Sequence, residues 1–353
     1  MAGITFRAAL VVIGLALALV LAWQLRQLIT LAFLAALLAA ALQSPSEALE
    51  SRGLPRVPAV LLTYLVLLSA LALVVFLIFP PLVQQAVSFV ESLPELFGRL
   101  RQSVTDLIAG LAGPDAADRA ISSITEGARS ILPQLAGLLT LPLTVLGILV
   151  NVVLIIVLSG LMLLERDAVE RWVEQFVDRD DRRLFRDVSH RAFGKLGSYV
   201  RGQLLLMTSI GLGAGLGMVL IGFFTIGEPL QFLFPLSLLA FITEAIPMVG
   251  PYIGGVPIII VAFLENPLAG ILMAAWLVAL QQLEGFVLVP IVQGKAVSLS
   301  PMVVLLAVLA GGSLAGIVGA IIAIPIVAVA DVVIRDVVFP LRQARQERVS
   351  GSP

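Results

Sequence analysis

The chain has 353 residues, of which 59% are hydrophobic and 13% are charged, and its formal net charge is −1. The charged fraction is about half that of ordinary soluble domains, which argues against a soluble fold. A net charge near zero argues against nucleic acid as a partner, because such a partner requires a basic stripe. Cysteine is absent, and the single histidine, His190, lies in a charged stretch. We therefore expect no thiol chemistry, no metal site and no cofactor.

Charge-free stretches predict an all-α polytopic membrane protein. A helix needs about 20 residues to cross the hydrocarbon core of a bilayer. Stretches of at least this length lie at 57–79, 136–164, 202–227 and 301–330. In lipid a backbone must satisfy its own hydrogen bonds, which an α-helix does within one segment.

The N-terminal segment, residues 1–80, is predicted to hold three transmembrane helices and a polar link. The helices are placed at 6–23, 27–43 and 57–80, and the link at 44–56. Arg7 and the apolar run after it resemble a cleaved signal peptide. A second apolar run follows closely, so a hairpin of two spans is the better interpretation.

The polar region 81–135 is predicted to be an amphipathic helical region on the extracytoplasmic side. Its apolar residues recur in steps of three and four, which places them on one helical stripe. Ser92 followed by Glu95 resembles a capping box, which predicts that a new helix begins there. The stripe fits a helix that lies against its own membrane domain or the bilayer surface. It also fits a contact between subunits.

A fourth span is predicted at 136–164, followed by a charged helical segment at 165–201. The charged segment holds nine Lys and Arg residues, against four in 81–135. Cytoplasmic loops carry an excess of Lys and Arg, so 165–201 and the basic tail, 339–353, are predicted to be cytoplasmic.

The next span carries four alternating glycines, Gly211, Gly213, Gly215 and Gly217. They form two overlapping G-x-x-x-G pairs, and small residues four apart let another helix approach closely in lipid. We therefore predict that they pack against other helices. Their spacing is not that of a nucleotide-binding loop, and the chain contains no Walker A sequence, so ATP is not expected as a partner.

Residues 202–338 are predicted to form a transport core of broken or re-entrant helices. The apolar stretches 253–264 and 268–280, each about 13 residues long, are too short to cross alone, and they predict a re-entrant hairpin. A second break is predicted within 301–330, where glycines cluster. Interrupted helices of this kind indicate a midplane binding site. The predicted hinge and break residues are Pro247, Gly250, Pro251, Gly254, Pro257, Pro290, Gly311, Gly312, Gly316, Gly319 and Pro325.

Two carboxylates, Glu244 and Glu284, interrupt the apolar sequence of this core. A charge at the bilayer centre costs about 2.5–3.5 kcal/mol, so we expect these residues to line a pathway or to take up a proton. The alternative is that each lies at a helix end with its carboxylate in water. Gln281, Gln282 and Asp331 are further pathway candidates. Hydrogen bonds between helices would explain the two glutamines equally well.

Several motifs together resemble one family of bacterial and archaeal membrane proteins. They are Tyr199-Val200-Arg201-Gly202-Gln203, Glu244-x-x-Pro247-x-x-Gly250-Pro251-x-x-Gly254-x-x-Pro257, Gln282-x-Glu284, and then Pro290, Gly294, Pro301, Gly311-Gly312, Gly316, Gly319 and Pro325. The family they resemble is the autoinducer-2 exporter family, also called the PerM-like permeases. The chain departs from the family pattern at Phe286, where a polar residue, often Asn, is common.

The resemblance implies roughly eight helices in the inner membrane, with both termini in the cytoplasm. It also implies a homo-oligomer, such as a pentamer, that exports a small polar signal or metabolite. An intramembrane enzyme is not expected, because the sequence offers no Ser/His or paired Asp arrangement within the spans and no H-E-x-x-H motif. Some members of the family are described as sodium/proton antiporters. A monovalent cation exchanged for a proton is therefore the alternative cargo, and the lipid bilayer is the remaining expected partner.

Overall fold

A computed structural model describes residues 13–14, 17, 20–21, 24–112, 141–179, 181–292 and 300–338. Every regular element among these residues is helical, and no strand occurs there, which confirms the predicted all-α class. The first predicted span, 6–23, lies largely outside the described residues, as do 113–140 and the tail. Two compact units form, one from 1–64 with 146–197 and one from 65–145 with 198–353.

The helices of the N-terminal half run as follows: α1 is Arg26–Glu50, α2 is Arg56–Ala112, α3 is Leu141–Leu164, α4 is Arg166–Glu174 and α5 is Arg182–Thr225. The C-terminal half begins with α6, Leu233–Thr243, then α7, Gly250–Glu265, and α8, Pro267–Leu283. A π-helical turn, Glu284–Leu288, leads into α9, Val289–Val292; α10, Pro301–Val333, ends in a second π-helical turn, Ile334–Val338.

The predicted polar link at 44–56 is too long, because α1 continues to Glu50. The hydroxyl of Ser46 lies within hydrogen-bond distance of the carbonyl oxygen of Leu42 (3.0 Å) and of Thr63 Oγ1 (3.1 Å), and its single hydrogen can bond to either. The polar residue is therefore satisfied within the helix and against its neighbour, and it does not end the helix. The turn that follows contains Gly53, whose φ of 95° favours glycine.

The first unit has a small buried core between α1, α2 and α3. Ala39, Val60, Tyr64 and Leu163 form this core. The Tyr64 hydroxyl donates a 2.8 Å hydrogen bond to Ser159 Oγ, and Ser159 in turn donates to the carbonyl of Ile156 at 2.8 Å. Polar groups buried between these helices are thus paired, as lipid requires.

The predicted start of a new helix at Ser92 is wrong, because α2 runs unbroken for 57 residues. Ser92 donates to the carbonyl of Phe89 at 2.9 Å, and Glu95 pairs with Arg99, so neither residue caps a helix end. Extending a helix adds one hydrogen bond per residue, whereas starting another requires a costly nucleus. Phe89 packs edge-on against Phe232 of the same unit, with ring centroids 5.0 Å apart.

The charged segment 165–201 divides between α4 and α5, and its residues from Arg182 onward form one continuous helix, α5, with the next predicted span. Helix α5 has 44 residues and a length of about 66 Å at 1.5 Å per residue, roughly twice the hydrocarbon thickness. Its charged N-terminal part must therefore extend out of the hydrocarbon region.

The predicted hairpin forms from α7 and α8, but the prediction that both helices are too short to cross alone is wrong for the second, because α8 continues through the π-helical turn and α9 to Val292. Asn266 separates α7 from α8, and its side-chain oxygen accepts hydrogen bonds from the backbone N–H groups of Leu268 (2.8 Å) and Ala269 (3.3 Å). This cap and the adjoining Pro267 start α8 at once. A Cβ added at Gly270 would lie 2.6 Å from the Cα of Phe263, so the glycine permits close packing of the two helices.

The predicted second break is also confirmed, and it folds α10 back on itself. Ala315 and Gly316 have non-helical torsion angles, and Gly316 has a φ of 61°. A Cβ added at Gly311 would lie 2.8 Å from the carbonyl carbon of Gly319. In a continuous helix these two residues would be separated by about 12 Å. The arms 301–314 and 317–333 are therefore antiparallel.

Five helices within the described residues are long and apolar enough to cross a membrane. They are Arg26–Glu50, Arg56–Leu77, Arg182–Thr225, Pro267–Val292 and Met302–Val337. Met302–Val337 does not cross once as a single helix, because the chain reverses at Gly316. Length and composition alone do not detect this reversal. The arms of α10 measure about 21 Å and 25 Å, less than the hydrocarbon thickness of about 30 Å.

Candidate transport site

The glycines of α5 bring two other helices close to it. Gly211 and Gly215 face α6, where an added Cβ would lie 2.8 Å from side-chain atoms in each case. Gly213 and Gly217 face α8, and a Cβ at Gly217 would meet the ring of Trp276. The Trp276 indole N–H donates a 2.9 Å hydrogen bond to the carbonyl of Gly213. Small residues thus let α5 contact both helices that lead to the two carboxylates.

Each candidate carboxylate stands at an interruption of a helix. Glu244 is the first residue after α6, in a turn where Met248 has a φ of 70°. Glu284 opens the π-helical turn after α8. Such turns shift the side chains of a helix and are frequent at functional sites. The turn after α6 is tight, since a Cβ at Gly250 would lie 2.9 Å from the Cα of Glu244.

The structure brings Glu244 and Glu284 together in the interior of the second unit. Their exposed fractions are 2% and 9%, and their carboxyl groups are close enough to hydrogen-bond to each other. Gln281 Nε2 donates to Glu284 Oε2 at 2.9 Å, and Gln203 Nε2 donates to the backbone carbonyl of Glu244 at 2.7 Å. Apart from this carboxyl contact, Glu244 Oε2 has no hydrogen-bond partner in the structure.

The electrostatics of this carboxyl pair require a proton. A hydrogen bond between two carboxyl groups exists only if one of them is protonated. Two negative charges at that distance would repel strongly in a medium of low dielectric constant. In direct contact the two carboxyl groups would share one proton.

A small cavity lies between α5, α6, α7 and α8, and Gln281, which donates to Glu284, is one of its lining residues. Its volume is about 20 Å³, and Pro251, Gly254 and Gln281 contribute to its wall. A cavity of this size has room for about one water molecule. A solute larger than a water molecule does not fit in this cavity.

Other predicted pathway residues lie elsewhere. Gln282 is exposed on the surface of the chain and does not join the pair. Asp331 accepts a 2.7 Å hydrogen bond from Arg335 one turn later in its own helix. Phe286 is 78% exposed, so the departure from the family pattern removes no partner from the buried carboxyl groups.

The antiparallel arms of α10 pack close to the Glu244 turn. Ile246, two residues after Glu244, lies in one buried cluster with Tyr199 of α5 and with Val308 and Ala320 from the two arms. Pro325 is also fully buried in the second arm. Movement of the arms would therefore displace the turn that holds Glu244, because packed cores shift between discrete arrangements.

Sequence reasoning missed Gln203 as a site residue. It is 7% exposed and ties α5 to the Glu244 turn. An amide side chain at the start of a charge-free span is a signal that could have identified it, since polar groups in membrane helices seek partners.

Comparisons with known proteins agree with the motifs. Residues 11–339 match the family described as AI-2E family transporter. YueF of Bacillus subtilis is 26% identical over 320 residues, which cover 87% of this chain and 83% of YueF. A Mycobacterium tuberculosis protein is 33% identical over 305 residues, covering 84% and 79%. PerM of Escherichia coli is 26% identical over 323 residues, covering 89% and 88%.

The names of these relatives describe YueF and the mycobacterial protein as candidate transport proteins and PerM as a candidate permease. The family match spans nearly the whole described chain and confirms the resemblance carried by residues 199–325. The chain therefore belongs to the AI-2E transporter family of multi-pass membrane proteins.

Proposed function

We propose that this chain is a secondary transporter that exports a small polar solute, such as an autoinducer-2-like signal or a metabolite, and that it is not an enzyme. The observation that carries the proposal is the buried pair formed by Glu244 and Glu284 at two helix interruptions. Charges at membrane depth are costly and mark pathways or proton relays by default. Family membership supports transport as the general activity.

In this proposal the carboxyl pair couples solute movement to a proton. Loss of the proton would leave two negative charges in contact, which favours separation of α6 from the turn after α8. Separation would widen the one-water cavity beside Gln281 and admit solute. Re-protonation would restore the contact between the carboxyl groups and close the cavity. Opening and closing of the cavity would then alternate, as secondary transport requires.

We further propose a homo-oligomer in the inner membrane with both termini in the cytoplasm. The Lys and Arg excess of 165–201 supports that orientation. The sequence carries no Walker A motif, so an ion or solute gradient supplies the energy in this proposal.

A cation/proton antiporter is the second candidate, and the same carboxyl pair favours it, because carboxylate oxygens are suitable ligands for a monovalent cation. The two functions differ in the substrate that each requires for transport. An antiporter exchanges protons when NaCl alone is added, whereas a solute exporter requires its solute.

The experiment uses proteoliposomes with an imposed pH gradient and a panel of labelled small polar solutes. We expect gradient-driven flux with the wild-type chain and its loss in Glu244→Gln and Glu284→Gln, with downhill exchange retained. Gln282→Ala is the matched control, because it is a polar, exposed neighbour of Glu284 outside the pair. Size-exclusion profiles establish that each variant is folded.

Wild-type coupling in both glutamine variants would refute the role of the pair. A pH change on adding NaCl alone, reported by an internal dye and absent from both variants, would favour the antiporter over the exporter.

A further inference from the structure

Helix α4, which follows α3 after the single residue Glu165, turns two of its charged residues, Glu170 and Glu174, inward. Glu174 accepts hydrogen bonds from both Nε (2.9 Å) and Nη2 (2.7 Å) of Arg186 in α5. Glu170 Oε2 lies 3.3 Å from Nε2 of His190. The two carboxylate side chains are only 15% and 11% exposed, for Glu170 and Glu174 respectively. These contacts fix the rotation of α4 about its own axis.

The opposite face of α4 exposes its large apolar residues. Val169 and Trp172 are 53% and 60% exposed, and Phe176, two residues beyond the end of α4, is 75% exposed. The N–H of Phe176 donates to the carbonyl of Val173 at 3.0 Å, so the chain keeps turning and the spacing of three and four places the three side chains on one stripe. The Trp172 and Phe176 rings meet edge to face with centroids 5.1 Å apart. A surface helix in water has the reverse arrangement, with apolar residues inside and charges outside. This stripe therefore needs an apolar cover.

The stripe continues the outer face of α3. Val153, Val157 and Leu161 of α3 are each about half exposed, again at spacings of four. Hydrogen bonds from the N–H of Glu165 to the carbonyl of Leu161, and from Val169 to Glu165, carry the four-residue pattern across the junction. The exposed face of α3 is charge-free, as a face in contact with lipid must be. Because the exposed face of α4 continues that of α3, we infer that the same bilayer covers it, at the boundary between headgroups and acyl chains.

We propose that α4 is an interfacial anchor whose stripe, Val169, Trp172 and Phe176, inserts into the boundary between headgroups and acyl chains of the leaflet next to the end of α3. Tryptophan and phenylalanine are favoured at that depth. The contacts of Glu174 with Arg186 and of Glu170 with His190 then hold the anchor against the N-terminal part of α5.

The absence of cysteine from the chain permits a direct test. Single variants Val169→Cys and Phe176→Cys are spin-labelled in the full-length protein. The protein is reconstituted in vesicles of phosphatidylcholine and phosphatidylglycerol. Arg171→Cys is the matched control, because Arg171 is exposed on the same helix but off the apolar stripe. Collision with oxygen, which partitions into lipid, is compared with collision with a water-soluble nickel chelate.

We expect the ratio of oxygen to nickel collision to be severalfold higher at positions 169 and 176 than at 171. Equal, high nickel accessibility at all three positions would overturn the proposal, because the stripe would then face water. Low accessibility to both reagents, with dipolar coupling between labels on different copies, would also overturn it, because a second copy would then cover the stripe.

Discussion

The close approach of Gly311 and Gly319 makes the α10 hairpin testable by adding a single methyl group. In Gly311→Ala the new Cβ would stand 2.8 Å from the Gly319 carbonyl carbon, whereas ordinary contact begins at 3.4 Å. The atom it meets is backbone, so no side chain can rotate away. In Gly312→Ala the nearest atom is the Ala320 Cβ at 3.9 Å, which leaves room for the methyl group.

Two effects compete in Gly311→Ala. Alanine is favoured over glycine within a helix by about 0.5–1 kcal/mol. Forcing an extra carbon into a well-packed contact costs about 1–3 kcal/mol, and more where backbone must move. The steric cost is larger, so we expect Gly311→Ala to be destabilised by about 1–2 kcal/mol. Only the helix preference acts in Gly312→Ala, which should be as stable as the parent chain or more stable.

The measurement is thermal unfolding of both variants in the same detergent, followed by the loss of the monodisperse size-exclusion peak. We expect the Gly311→Ala transition to fall by a few degrees relative to Gly312→Ala. Equal transitions in the two variants would refute the antiparallel packing, because in a continuous helix neither methyl group would meet the opposite glycine.

Two further stability predictions concern hydrogen bonds, and both use the same assay. Tyr64→Phe removes the bond to Ser159, while Ser159 keeps its bond to the Ile156 carbonyl, so we expect a loss of about 0.6 kcal/mol. A loss of stability several times larger would contradict the claim that Ser159 keeps its hydrogen bond to the Ile156 carbonyl. Asn266→Ala removes the cap of α8, for which we expect a loss of about 1 kcal/mol. Asn266→Ser should recover most of it, and no recovery would argue against capping as the cause.

Helix interruptions were predictable from the sequence where the signal is local. Asn266 and Pro267 start a helix through a side-chain cap and a fixed φ, and both act within one turn. Gly316 permits a backbone angle that other residues avoid. The continuity of α2 and α5 was not predictable from composition, because a change from apolar to charged residues marks the edge of the membrane and leaves the backbone hydrogen bonds intact.

The two carboxylates were predictable one at a time, from their cost in an apolar segment. Their contact was not, because Glu244 and Glu284 lie on different helices and no local spacing relates them. Gln282 illustrates the same limit. It is adjacent in sequence to Gln281, yet only Gln281 reaches the pair, because successive residues of a helix point about 100° apart.

The reversal at Gly316 also governs how the chain is counted across the bilayer. A segment that turns back on itself returns to the side from which it came, whether its arms cross fully or only in part, so it contributes an even number of passages. Reporter fusions placed after residue 300 and after residue 338 should therefore report the same compartment. A hydropathy plot scores residues 302–337 as one passage and would assign every position beyond them to the wrong side.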